Sequence, residues 1–101
     1  MFSRRTRVAK IHDALKTLIG IYESVGRTKG WPQQFSSALE IDDEATLCRR
    51  IQGWYGGMGS LNDQFFCRTN GDLGTPEQLN LAQMQHEKCI GRLSQLSRPS
   101  R

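Results

Sequence analysis

The residue types best suited to chemistry are gathered in one stretch, Tyr55-Gly56-Gly57-Met58-Gly59-Ser60-Leu61-Asn62-Asp63. Glycines followed by a hydroxyl cradle phosphates when several backbone N–H groups converge on one anion. A P-loop also needs a strand before it and a Lys-Ser/Thr pair after its last glycine, and a dinucleotide fingerprint needs a third glycine. In this chain a helical pattern precedes the glycines, no Lys follows them, and Gly57-Met58-Gly59 stops one glycine short. The expectation is therefore a tight helix-to-helix corner. Gly56, Gly57 and Gly59 serve its backbone there, by taking positive φ or by permitting close approach. What survives of the phosphate idea is a small nest of N–H groups at Gly59-Ser60-Leu61 that would meet an anion or a carbonyl. Asn62 and Asp63 either bond to the turn's own backbone or contact a partner or ligand. As a lone carboxylate, Asp63 has no acid–base partner close in sequence, so no catalytic residue is assigned.

Three further constellations suggest themselves. His86 and Cys89 stand three apart on a helical pattern and share a face; with Cys48 and Cys67 they would make a Cys3His zinc set. The paired Cys-x2–4-Cys spacing of such sites is missing, so no metal is expected, and His86 reads first as a core histidine bonded to another helix. A Cys–His nucleophilic pair would need a reactive thiol beside His86, which nothing in the spacing supplies. Residues 32–55 imitate a helix-turn-helix, but the recognition helix would lead with Asp42-Asp43-Glu44, and three carboxylates there repel phosphates.

The elements that must position these groups are helical. Val8, Ile11, Leu15, Leu18, Tyr22 and Val25 recur at spacings of three and four, which predicts a largely buried helix over about 6–26. Trp31-Pro32 opens a short second helix with Phe35 and Ala38/Leu39 on its inner face. Asp42-Asp43-Glu44 opens a third, whose apolar face is Leu47, Cys48, Ile51 and Trp54/Tyr55, with Arg49 and Arg50 outward and Gly56 as its stop. Thr75-Pro76-Glu77-Gln78 combines an N-cap, a Pro at the first helical position and a capping-box Gln. Leu79, Ala82, His86, Cys89, Leu93 and Leu96 follow as the stripe of a last long helix that Pro99 ends. Leu61 to Cys67 reads as a short helix capped by Ser60, and 69–74 as a turn-rich connection. The aromatic set Trp31, Phe35, Trp54, Tyr55, Phe65 and Phe66 is expected in the core. Any member left exposed around the corner would make a partner surface. The fold class is all-α: a small bundle of four to five helices with a Gly-rich corner, forming one domain over 1–101 with basic flexible ends at about 1–5 and 98–101.

Composition bounds the rest. The chain has 101 residues, 37% hydrophobic and 24% charged, which suits one globular domain. No apolar run approaches the ~20 residues that cross a bilayer, and the basic start is not followed by a signal-peptide core, so the expected location is the cytoplasm. Three widely spaced cysteines are no disulfide framework. The net charge of +4 belongs to the termini: residues 11–91 hold seven basic and ten acidic side chains. Such ends attract phosphates only weakly and non-specifically, so nucleic acid is not the expected partner.

The stretch 55–63 resembles the signature of a family of small, helical, uncharacterised bacterial proteins that carry a YGGMGSxND segment after a short helix. The likeness in layout covers about residues 11–96; the specific match covers 55–63. Downstream, Gln64-Phe65-Phe66 replaces a more aliphatic run. The resemblance implies no activity, cofactor or metal, and it favours an interaction role. The leading expectation is a non-enzymatic bacterial protein that binds another protein, immunity-like in its most specific form, where it would neutralise a toxin. Its candidate binding residues are Tyr55, Ser60, Asn62, Asp63 and His86. The alternatives are a small-ligand binder or enzyme with a pocket at the same corner, and weak nucleic-acid binding through the basic termini.

Overall fold

In a computed structural model, described over residues 4–56 and 59–98, four α-helices carry the chain: α1 (Arg4–Ser24), α2 (Trp31–Ala38), α3 (Glu44–Gln52) and α4 (Pro76–Leu96). Among the described residues there is no strand, and no helix is long and apolar enough to cross a membrane. Residues 1–3, 57–58 and 99–101 lie outside the described residues, and with them the roles expected of Gly57, of Pro99 and of the chain's outermost ends.

The long helices run antiparallel. Arg7 near the start of α1 donates from Nε to Leu96 O at 2.6 Å, Cys89 Sγ donates to Ala14 O at 3.4 Å, and Tyr22 meets His86 near the other end. Every member of the α1 stripe, from Val8 to Val25, is buried. The α4 stripe is buried at Leu79, Ala82, His86 and Leu93, with Ile90 added and Cys89 and Leu96 half-covered. Phe35 and Ala38 of α2 and Leu47, Cys48 and Ile51 of α3 close the remaining side of α1.

The helix ends follow their sequence signals. Asp43 Oδ2 accepts from Thr46 N at 2.9 Å at the start of α3. Thr75 Oγ1 accepts from Gln78 N at 3.1 Å while Gln78 Oε1 accepts from Thr75 N at 2.8 Å, the reciprocal capping box at the start of α4. At the far end of α4, Arg7 thus sets a cation on Leu96 O, which the helix leaves unpaired, and it also donates to Arg98 O just beyond the helix.

Four expectations are corrected. The third helix stops at Gln52 rather than Gly56, and Trp54 reaches the core from the turn that follows. The short helix expected over 61–67 is a single 3-10 turn, Leu61–Asp63, followed by non-helical backbone that is extended at Gln64 and Cys67, and a second 3-10 turn, Arg68–Asn70, comes after it. Side chains have taken the N–H groups that a helix would use: Phe66 N donates to Gln83 Oε1 and Cys67 N to Asp72 Oδ2, both at 2.9 Å. Nor does Ser60 cap the first turn; its hydroxyl bonds to Asn62 Oδ1 at 2.5 Å. Finally, Phe65 is not core. It is 63% exposed, while its neighbour Phe66 is buried.

Candidate functional site

The corner is built from its own polar groups. Asn62 Oδ1 accepts from Gly56 N at 3.2 Å as well as from Ser60 Oγ, and Asp63 Oδ2 accepts from Gly59 N at 3.0 Å. Gln64 reaches back with its amide to Ser60 O at 2.9 Å and Gly59 O at 3.3 Å. Leu61 N donates to Trp54 O at 2.7 Å, which ties the turn to the end of α3, and the Leu61 side chain is buried. Gly56 and Gly59 have φ of +88° and +78°, in the left-handed region where a side chain is strained. Gly59 N–H points to the Asp63 carboxylate, so part of the nest that could meet an anion already holds one.

The structure does not gather the five candidate binding residues into one place. Ser60, Asn62 and Asp63 lie together at the surface of the corner. Tyr55 lies half-buried beside α4 and donates its hydroxyl to Ile90 O at 2.6 Å. Burial and the nearby Cys89 push the Tyr55 hydroxyl above the usual tyrosine range. His86 is in the core, 1% exposed, with Nε2 2.9 Å from Tyr22 Oη and its ring edge-on to Tyr22 and Phe66. Burial, helped by the Arg27 charge, lowers His86 to about 4, so the ring is neutral at physiological pH. Among the described residues its Nδ1 has no hydrogen-bond partner. The Tyr22 hydroxyl is raised by the same burial.

The cysteines are equally dispersed. Cys48 sits on α3 near Arg7 and Glu44, Cys67 beside Asp72, and Cys89 against Ala14. Burial raises the thiols of Cys48 and Cys89, which keeps them protonated and poorly nucleophilic.

A group that the sequence reading passed over lies directly beneath the exposed loop. Arg27, just past α1, donates from Nε to Asp72 Oδ1 at 3.0 Å and from Nη2 to Asp72 Oδ2 at 2.7 Å, a two-point clamp on a carboxylate side chain only 2% exposed. The same Nη2 donates to Phe65 O at 2.9 Å, and Nη1 to Gln64 Oε1 at 3.4 Å. The guanidinium lies 4.9 Å from the centre of the Phe66 ring and 5.6 Å from that of Tyr22. Asp72 Oδ2 also accepts from Cys67 N, and Leu73 N donates to Val25 O at 2.8 Å, so 64–73 is fastened to the end of α1. Arg27 and Asp72 are 45 positions apart, and no local pattern links them.

Phe65 is held outward by these bonds. Its carbonyl is fixed by Arg27 and by Asn70 Nδ2 at 3.1 Å, and the next N–H is fixed by Gln83. Beside it a groove of about 250 Å³ runs between 65–68 and the start of α4, with Phe66, Pro76 and Leu79 in its walls and Arg68 at its edge. Exposed Leu73 follows the clamp, and exposed Leu81 and Met84 lie on α4.

Comparison with known proteins gives one family. The model of the family described as "Domain of unknown function (DUF6966)" matches residues 23–75, a span that contains the glycine corner, Arg27, Phe65 and Asp72. No curated protein and no solved structure matches the chain.

Proposed function

This chain belongs to the DUF6966 domain family, and from that premise we propose that it is a non-enzymatic binding protein whose partner is another protein. The observation that carries the reading is Phe65, an aromatic side chain 63% exposed on backbone fixed by hydrogen bonds from both sides. A large apolar ring gains nothing from water, and preorganised aromatic anchors are the residues that dominate protein interfaces. The groove beside it supplies an apolar recess, and exposed Asp63, two positions earlier, supplies a polar edge. Tyr22 and His86, which could do acid–base chemistry, are sealed in the core, which favours recognition over catalysis. The most specific form of the reading is an immunity-like bacterial protein that neutralises a toxin.

The test is affinity capture from the native host with the full chain and with Phe65→Ser. A partner retained by the native chain and lost with the variant, at unchanged melting temperature, supports the reading. Equal capture by both, or none by either, refutes it.

A further inference from the structure

A second surface lies away from Phe65, along the seam between α1 and α4. The seam opens into a groove of about 670 Å³ whose rims carry Lys10, Lys88 and Arg92 against one carboxylate, Asp13. Its floor is less polar, with Ala14, Ile21 and Cys89. Every residue of this groove lies outside the 23–75 span that the family model matches.

Two features say what would fill it. The first is charge. Residues 11–91 carry more acidic than basic side chains, yet the antiparallel pairing of α1 and α4 brings Lys10 from one end of the chain opposite Lys88 and Arg92 from the other. The groove thus carries three cations against one carboxylate. The second is its gradient. Leu81, Gln85, Lys88 and Arg92 recur at spacings of four, three and four, so they share one face of α4. Leu81, 55% exposed, marks the apolar end of that face, and Lys88 and Arg92 mark the cationic end. From Lys10 to Ile21 the α1 wall spans about three helical turns, ~16 Å at the usual rise.

We propose that the α1/α4 groove docks an acidic amphipathic segment of a protein partner, helical over about three turns, with its carboxylates on the Lys10/Lys88/Arg92 end and its apolar side chains towards Ile21 and Leu81. Nucleic acid fits less well, because phosphates would use the rims and leave the apolar floor and Leu81 uncovered. The proposal stands apart from the Phe65 surface, and each can fail alone.

Three probes test it against the full chain: a fourteen-residue helical peptide of leucine and glutamate, a glutamate-only peptide of equal length, and a twenty-nucleotide oligothymidine. The leucine–glutamate peptide is expected to shift the backbone NMR signals of residues 10–21 and 85–92. Its binding should weaken with salt and fall about tenfold or more in the doubly reversed Lys88→Glu/Arg92→Glu chain. Both reversed residues are exposed, so the melting temperature should barely move, and Phe65→Ser should bind the peptide as the native chain does. Absence of binding, shifts confined to residues outside the groove, binding indifferent to the charge reversal or lost with Phe65→Ser, equal binding of the glutamate-only peptide, or equal or tighter binding of oligothymidine at the same residues would each overturn it.

Discussion

The corner at 56–64 and the adjoining segment 64–73 are secured by different means. At the corner, exposed neutral and acidic side chains bond to backbone groups a few residues away, so each bond competes with water and is individually modest. The next segment is held, beside its bonds to Val25 and Gln83, by the Arg27–Asp72 ion pair, whose carboxylate is buried, and which joins positions 45 apart and also holds the Phe65 carbonyl. The more conspicuous sequence motif is therefore the weaker fastening. The strong one consists of two ordinary-looking charges, and it is the one that presents Phe65 to a partner.

Breaking the clamp should have the largest effect. Arg27→Met leaves the Asp72 carboxylate buried with only the Cys67 N–H, and removing one member of a buried pair costs about 3–5 kcal/mol. For a chain of this size that corresponds to a fall of roughly 15 °C or more in melting temperature, measurable by calorimetry. Replacing both members, as Arg27→Met/Asp72→Leu, should cost clearly less than the single change, because no charge is left stranded.

Acid comes next. His86 is lowered to about 4 in the folded chain, whereas an unfolded histidine titrates near 6.5. Below about 6.5 the unfolded state binds the extra proton and the folded state resists it. The contribution of His86 is thus complete above that pH and is lost as pH falls towards about 4, amounting to about 3 kcal/mol over the window. Urea unfolding at a series of pH values should show this slope in the native chain. His86→Leu should flatten it between 6.5 and 4, though the variant starts less stable because the Tyr22 hydroxyl loses its partner.

The corner should respond least. Asn62→Ala removes the acceptor shared by Gly56 N and Ser60 Oγ and should cost about 1 kcal/mol in chemical denaturation. Gly56→Ala should cost a similar amount, about 1–2 kcal/mol, from its positive φ alone, since an added Cβ would meet nothing within 4 Å.

The contrast also explains what the sequence disclosed. The stripes of α1 and α4, the Asp43 and Thr75 caps and the glycine corner are local patterns, and local patterns repeat the period or the capping geometry that produces them. His86 fell on its stripe and packs there in the core. Segment 64–73 was not legible, because its backbone groups bond to Gln83 and Arg27, 17 and 38 residues away, and to Asp72, which Arg27 holds from 45 residues away, and such partners leave no periodic trace. Phe65 was misread for the same reason. Two adjacent phenylalanines in extended backbone face opposite ways, and only the distant clamp decides which one faces outward.

The direct test of the account sets Phe65→Ser beside Asn62→Ala in the same partner-capture assay, each scored per folded molecule. If the corner is scaffold and Phe65 is the anchor, Phe65→Ser loses the partner at an unchanged melting temperature, and Asn62→Ala keeps it at a lowered one. Retention by Phe65→Ser together with loss by Asn62→Ala would contradict the account and return the site to the corner itself.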